Sequence, residues 1–339
     1  MSLRYADGQR MMNKATKMCE GYGSLLRDFV AEWSKEPRSI VNYVNNVKIF
    51  LDSIYGTPAT NKQILAVKSR DVVSFLNSKK TKTTKGGEVV ECSISTRQAY
   101  YFALNKFYNS IEQTDDEALI KGWNNPMRKI AKPVGRDVVK HKLMDSTDVS
   151  KILAVAKHGQ EHFNRFHEGM ESRDYLILML LCTTGLRVSE LSQIQINDFD
   201  ENGVLYLRTK RNQEREIVLN AKLKQALNEW LPKRKEILKS KGRENETALI
   251  INNRGGQMTI QALTYITKKY SKEALGEAKS PHKFRSAYCS ILYSKTHDIE
   301  FVRDAVGHHS TQVTGRYIVK DNNPQEEAGK ILDNMFDIE

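Results

Sequence analysis

The stretch TTGLRVSELSQI, Thr183 to Ile194, decides how the rest of the chain is read. Ahead of it, Asp174 to Thr183 is almost unbroken apolar sequence, as in a helix buried on every side. Thr184-Gly185 ends that helix, and Gly185 permits a tight approach to the start of the next, which runs from about Val188 to Gln193. Arg187 falls at the first turn of this second helix. Glu190 lies three residues on, so the two side chains share a face.

Downstream, the apolar period changes from helical to extended. Val204 to Leu207 and Glu216 to Leu219 read as two strands joined by a polar turn, Thr209 to Gln213, with Lys210 at its tip. Helical patterns resume over residues 221–239, 259–274, 281–294, 298–306 and 311–319, and a last one fits between Pro324 and Asn334. Upstream, Asp145-Ser146 caps a helix bearing Val149, Ile152 and Leu153.

The first part of the chain also reads as helices, over residues 24–34, from Pro37 to a stop at Gly56 and Pro58, and over 69–78 and 95–111. A short acidic helix is expected near Asp115 to Trp123. Lys79 to Glu88 is polar and contains Gly86-Gly87, so it is expected to be a loop or loose hairpin. Few residues precede the helix at Ser24, so a separate N-terminal arm-binding domain is not expected. Residues 124–142 are basic and carry two prolines and a glycine, the composition of a linker. The expected division is a helical domain over 1–123, a basic linker over 124–142, and a second domain over 143–339.

The chain has 339 residues, enough for two domains and a core without disulfides or structural metal. Cys19, Cys92, Cys182 and Cys289 form no CxxC pair, so reduced, mostly buried thiols are expected. No apolar run reaches the roughly 18 residues of a membrane span, and a cytoplasmic, nucleoid-associated location is expected. The net charge of +12 points to a polyanionic partner, nucleic acid or a membrane surface. Residues 1–140 hold 23 Lys and Arg against 14 Asp and Glu, so the first part is the stronger electrostatic grip.

Two further pieces complete an ordered set. PHKFR, residues 281–285, opens a helix with proline at its first position and sets His282 and Arg285 on one face. VGHHSTQVTGRY, residues 306–317, ends one helix at Gly307, follows it with His308, and places Tyr317 on the next. Each piece alone is weak, since one tyrosine among 14 is ordinarily a core residue. Two arginines, a lysine, two histidines and a tyrosine, each at an element boundary, are specific together.

In TGLRVSEL, the lysine-tipped hairpin, HxxR, GHxS and a tyrosine nine residues after the GH histidine, the sequence resembles the tyrosine recombinase, or phage integrase, family. The resemblance covers residues 145–320 well, and residues 15–130 only in pattern. It implies a mainly α, two-domain fold: a helical SAM-like core-binding domain, then an α+β catalytic domain with a small antiparallel sheet. Position by position, the implied catalytic set is Arg187, Lys210, His282, Arg285, His308 and Tyr317, with Glu190 orienting its neighbours.

The chemistry calls for these residue types independently. In-line attack on a phosphodiester builds charge on its oxygens, which fixed cationic donors stabilise. Arginine grips two oxygens and stays charged, so Arg187 and Arg285 are expected to clamp the non-bridging oxygens. A tyrosine with a pKa near ~10 needs nearby positive charge and a proton acceptor to attack at neutral pH. The resemblance makes His282 that acceptor, His308 a donor to the phosphate, and Lys210 the acid that protonates the leaving 5′-oxygen. A phosphotyrosyl bond conserves the energy of the broken linkage, so no cofactor and no metal are expected. The sequence carries no P-loop and no two-metal acidic cluster.

The hairpin departs from the family pattern, with Thr209 and Arg211 flanking Lys210 where glycines are usual, and Ser286 follows Arg285 where a histidine is common. Phosphate contacts are expected from Lys62, Lys68, Arg70, Lys79, Lys80, Lys82 and Lys85, from the linker residues Arg128, Lys129, Lys132 and Arg136, and from Arg208 and Arg211. Base reading is assigned to the helix bearing Gln98, Tyr101 and Asn105. The implied partners are a double-stranded recombination site and a homo-tetramer assembled on it through the C-terminal segment with Ile331, Leu332, Met335 and Phe336. Integration or excision of a mobile element leads over chromosome or plasmid dimer resolution. A type IB topoisomerase, a telomere resolvase and a non-catalytic DNA-binding relative remain alternatives.

Overall fold

The computed structural model describes residues 3–34, 37–83, 87, 89–114, 116–135, 143–158, 169–208, 214–308 and 310–315. The chain divides into two compact units, Met1–Lys140 and His141–Glu339.

The first unit is helical, with one small hairpin. Its helices are α1 (Leu3–Met18), α2 (Ser24–Ala31), α3 (Pro37–Tyr55), α4 (Asn61–Ala66), α5 (Ser69–Ser78), α6 (Ile94–Glu112) and α7 (Glu117–Ile120). On α3, Ile40, Val44, Val47 and Leu51 recur at helical spacing, and all are fully buried. Phe50 meets Phe75 of α5 edge-on at 5.1 Å, and Phe29 of α2 meets Phe107 of α6 at 5.4 Å. Strands β1 (Thr81–Thr83) and β2 (Val89–Glu91) pair antiparallel where the sequence indicated a loop or hairpin.

Two elements went unread in the sequence. Helix α1 precedes the expected first helix and packs on α3. Among its described side chains only the small Ala15 is fully buried, a pattern that gives little apolar signal. Helix α4 is only six residues long and is held by a reciprocal cap between Thr60 and Gln63.

The expected linker is only partly one. Residues 125–133 are bound into the first unit: Ser69 donates to the Pro126 carbonyl at 2.7 Å, Gln98 to that of Pro133 at 2.8 Å, and Tyr101 to that of Ile130 at 3.2 Å. Asn125 and Met127 are buried, and Asn125 donates to Asn109 and Glu112.

The second unit comprises α8 (Ser146–His158), α9 (Glu171–Thr184), α10 (Val188–Leu191), β3 (Val204–Arg208), β4 (Glu214–Val218), α11 (Ala221–Ser240), α12 (Ile260–Leu275), α13 (Pro281–Thr296), α14 (Ile299–Val306) and α15 (Thr311–Thr314). As its apolar run requires, α9 lies at the centre, buried from Leu176 to Cys182 and packed against α8, α11, α12 and α13. The β3–β4 pair is antiparallel with Leu205 opposite Ile217 and Leu207 opposite Arg215. Leu205, Leu207 and Ile217 face the core, while Tyr206 and Val218 face outward. Between α11 and α12, Trp230 donates to the Leu249 carbonyl at 2.9 Å and Arg234 to that of Ala248 at 2.9 Å, fixing a loop that the sequence left unassigned.

Candidate active site

The site is built where two helices end. Helix α9 stops at Gly185 (φ 62°) and α14 at Gly307 (φ 65°), both in the left-handed region that glycine enters without strain. A β-carbon at Gly185 would also come within 2.5 Å of the Tyr288 ring, so the close approach and the turn both demand glycine. Arg187 and His308 follow these two ends in the sequence.

The last carbonyls of a helix lack intrahelical donors and carry partial negative charge. Two arginines satisfy them here. Arg285 on α13 is fully buried and donates to the Gly185 carbonyl and, at 2.8 Å, to the Val306 carbonyl. Arg215 on β4 donates through Nη2 to the Thr184 carbonyl at 2.7 Å and to the Ala305 carbonyl. The two guanidinium groups thus bridge α9 and α14 in parallel, one residue apart. The Arg285 Nε–H is buried with no protein acceptor.

Arg187 caps α10, and Glu190 holds it at both ends. The Glu190 carboxylate accepts from the Arg187 backbone N–H at 2.8 Å and from its Nη1 at 2.6 Å. Glu190 is thus ion-paired with the arginine three residues before it. Arg187 remains 44% exposed, so its guanidinium faces solvent while its position is fixed.

Charge crowds this site. Burial, together with Arg187, pushes the Arg285 pKa down to about 10, which leaves it charged at neutral pH. Burial pushes His308 down to about 3, and Arg285, Arg187, Arg215 and His282 add to the shift. Burial and Arg285 lower His282 as well, although its side chain reaches the surface. Both imidazoles are therefore neutral at physiological pH. His308 Nδ1 lies 3.0 Å from the Thr314 hydroxyl. If that hydroxyl donates, the His308 proton resides on Nε2.

This has a consequence for stability. Between about pH 6.5 and pH 3 the unfolded chain binds a proton at His308 that the folded chain refuses, so stability rises with pH across this window and levels off above it. His282 acts in the same direction. Denaturant unfolding at pH 7.5 and pH 5 is expected to show the protein weaker at the lower pH, by up to about 1.4 kcal/mol per unit for His308. His308→Gln is expected to flatten that dependence; an unchanged slope would count against a buried neutral imidazole.

Of the six catalytic residues expected, Arg187, Arg285, His282 and His308 share this electrostatic neighbourhood. Lys210 and Tyr317 lie outside the described residues, as do Lys85, Arg136, Arg211 and the C-terminal segment at 331–336. The side chains of Lys82 and Arg208 are likewise outside the description. Two residues of the site went unread. Thr314 sits in an ordinary polar run and gave no signal. Arg215 could have been found, because alternation along β4 places it on the inner face with Ile217, where a charge is out of place.

Among the expected DNA contacts, Lys62, Lys68, Arg70, Lys80, Lys129 and Lys132 are exposed. Lys79 lies over the Phe75 ring at 4.9 Å and near that of Tyr100 at 5.8 Å, and Arg128 is ion-paired with Glu112. Gln98 and Tyr101, assigned to base reading, instead hold the Pro133 and Ile130 carbonyls, because residues 126–133 fold back over that face of α6. Burial raises the Cys19 and Cys289 thiols to about 11 and Cys182 to about 12, so they remain protonated. Among the described residues no cluster has metal-binding composition, and no helix is long and apolar enough to cross a membrane.

The sequence profile of the phage integrase family matches residues 142–323, and the chain belongs to this family, the tyrosine recombinases. It is 29% identical over 174 residues to the tyrosine recombinase XerC of Actinobacillus pleuropneumoniae, a match covering 51% of this chain and 55% of the relative. The chain thus spans about half the length of that relative. In fold it is similar to the XerH site-specific recombinase bound to palindromic difH substrate, with TM-score 0.65 at 19% identity over 96% of this chain and 94% of the other. It is also similar to a lambda integrase tetramer bound to a Holliday junction, with TM-score 0.60 at 17% identity over 88% and 78% of the two chains.

Proposed function

We propose that this chain is a site-specific DNA recombinase that cuts and rejoins strands through a 3′-phosphotyrosyl bond to Tyr317. The observation that carries the reading is the convergence of Arg187, Arg285 and His308 at two bridged helix ends. That arrangement supplies fixed donors to one phosphate, and family membership supports Tyr317 as the nucleophile.

In the cleavage step the Tyr317 oxygen bonds to phosphorus and the bond to the 5′-oxygen breaks. The phenolic proton passes to His282, which is neutral and able to accept it. Lys210 gives a proton to the departing 5′-oxygen. Arg187, Arg285 and His308 Nε2–H hold the non-bridging oxygens, where charge grows. Rejoining runs the same steps backward on a new 5′-hydroxyl, so no external energy source enters.

Strand exchange through a Holliday junction follows, on a double-stranded recombination site gripped by both basic units, within a tetramer joined by the C-terminal segment. Resemblance to a tetrameric lambda integrase supports that assembly. Mobile-element integration or excision is the setting proposed; likeness to XerC recombinases supports chromosome or plasmid dimer resolution as the second.

The test is a nicked suicide duplex carrying the recombination site, incubated with the wild type and with Tyr317→Phe. The wild type is expected to form a covalent protein–DNA complex, and the loss of one oxygen atom to abolish it. A complex that survives the substitution would identify another nucleophile and overturn the reading.

A further inference from the structure

We propose that Arg215 is a positioning residue for strand cleavage: it docks the β3–β4 pair, between whose strands Lys210 falls in the sequence, onto the helix ends that lead to Arg187 and His308. The proposal rests on the assignment of Lys210 as the acid that protonates the leaving oxygen.

Four observations carry it. Arg215 stands opposite Leu207 on the inner face of the hairpin, so its side chain points at the protein rather than at solvent. Its Nη2 reaches carbonyls 31 and 90 residues away in the sequence, at Thr184 and Ala305. A β-carbon at position 307 would come within 3.2 Å of Arg215 Cδ, so glycine there makes room for the arginine stem as well as for the turn. Finally, Arg285 already bridges the same two helices through the Gly185 and Val306 carbonyls. The helix ends therefore stay joined without Arg215. Its separate contribution is to fix the hairpin to them.

Lys210 lies five residues before Arg215 in the sequence, close enough along the chain for the anchoring of β4 to bear on it. A proton donor displaced by about 1 Å can lose on the order of 10²-fold in rate. That loss depends on the leaving group. A 5′-oxygen must gain a proton as its bond to phosphorus breaks, whereas a sulfur in the same position departs as a stable thiolate. A defect confined to acid delivery is therefore erased by sulfur, and a defect in phosphate binding or folding is not.

The experiment compares nicked suicide duplexes with oxygen or sulfur at the 5′-bridging position. They are cleaved by the full-length wild type, Lys210→Ala, Arg215→Ala and Arg215→Lys. Arg215→Ala is expected to cleave the oxygen substrate about 10- to 100-fold more slowly than the wild type, and the sulfur substrate within about three-fold, in parallel with Lys210→Ala. Arg215→Lys is expected to recover most of the rate on oxygen, because one nitrogen makes both contacts in the native protein. Where alanine prevents folding, Arg215→Met, which keeps the stem beside Gly307, takes its place.

Equal losses on both substrates, or a wild-type rate for Arg215→Ala on oxygen, would overturn the positioning role alone. A Lys210→Ala defect that sulfur does not relieve would remove the acid assignment and this proposal with it. A wild type that forms no covalent complex with either substrate would sink the recombinase reading itself.

Discussion

Arg285→Ala is expected to slow strand cleavage by at least about 10³-fold and to destabilise the protein by about 2–6 kcal/mol. The two losses have different origins. The guanidinium is buried at the convergence of α9, α13 and α14, and removing it strands two helix-terminal carbonyls, those of Gly185 and Val306. A buried acceptor left without its donor costs about 1–3 kcal/mol. The cleavage defect comes from the remaining N–H groups, including the Nε–H that no protein atom accepts. Such donors act only as charge builds on the phosphate oxygens.

Arg285→Lys separates the two effects. A lysine keeps the charge and can bond a carbonyl, so part of the stability should return. It lacks the planar fork, so cleavage should stay at least about 10²-fold down. The readouts are thermal unfolding and covalent-complex formation on the suicide duplex. Cleavage by Arg285→Ala within ten-fold of the wild type would remove this arginine from the reacting centre.

The second large effect concerns stability alone. Asp174→Ala is expected to cost about 3–5 kcal/mol, which in a unit of this size lowers the melting temperature by roughly 10 °C. Arg173 and Asp174 are adjacent on α9, with side chains 1% and 0% exposed, and pair at 2.8 Å. Asp174 also accepts from the Tyr270 hydroxyl of α12 at 3.2 Å, while Arg173 donates to the Asn253 side chain at 3.1 Å. Removing the carboxylate leaves a guanidinium in the core without its counter-charge. Replacing both partners with apolar residues, as in Arg173→Met with Asp174→Leu, should recover most of the loss, because the cost lies in the unpaired charge. Calorimetry of the single and double substitutions checks this; a double variant as weak as the single would locate the cost elsewhere.

The two cases show where sequence reading succeeded and where it could not. Arg285 was legible only as part of the ordered set and the resemblance it carries, since a proline-led helix start with a histidine three residues before an arginine is weak alone, and its burial was not legible. Gly185 and Gly307 were legible as helix ends, since few residues other than glycine stop a helix in that conformation. The Arg173–Asp174 pair was not. Two charged residues at the head of an apolar run look like the solvated start of a helix, and only packing against α12 and the 251–253 loop makes them core.

The same boundary runs through the first unit. Periodicity located α2, α3, α5 and α6, because each buries large residues at helical spacing. It overlooked α1, among whose described side chains only Ala15 is fully buried. It also assigned Gln98 and Tyr101 to DNA, because a polar stripe reads alike whether it meets a groove or a returning loop.

By itself, then, the sequence determined the order of helices and strands, the turns that end them, and the residue types that a phosphate-cleaving centre requires. These follow from local periodicity, from the few residues that tolerate unusual backbone angles, and from the chemistry of each side chain. Only the tertiary structure decided that Arg215 and Arg285 bind successive carbonyls of the same two helices, that His308 is neutral beside Thr314, and that the basic segment after residue 124 belongs first to the helical unit. Each of those depends on which surfaces meet across tens of residues of chain, and close packing, unlike local pattern, leaves no periodic trace.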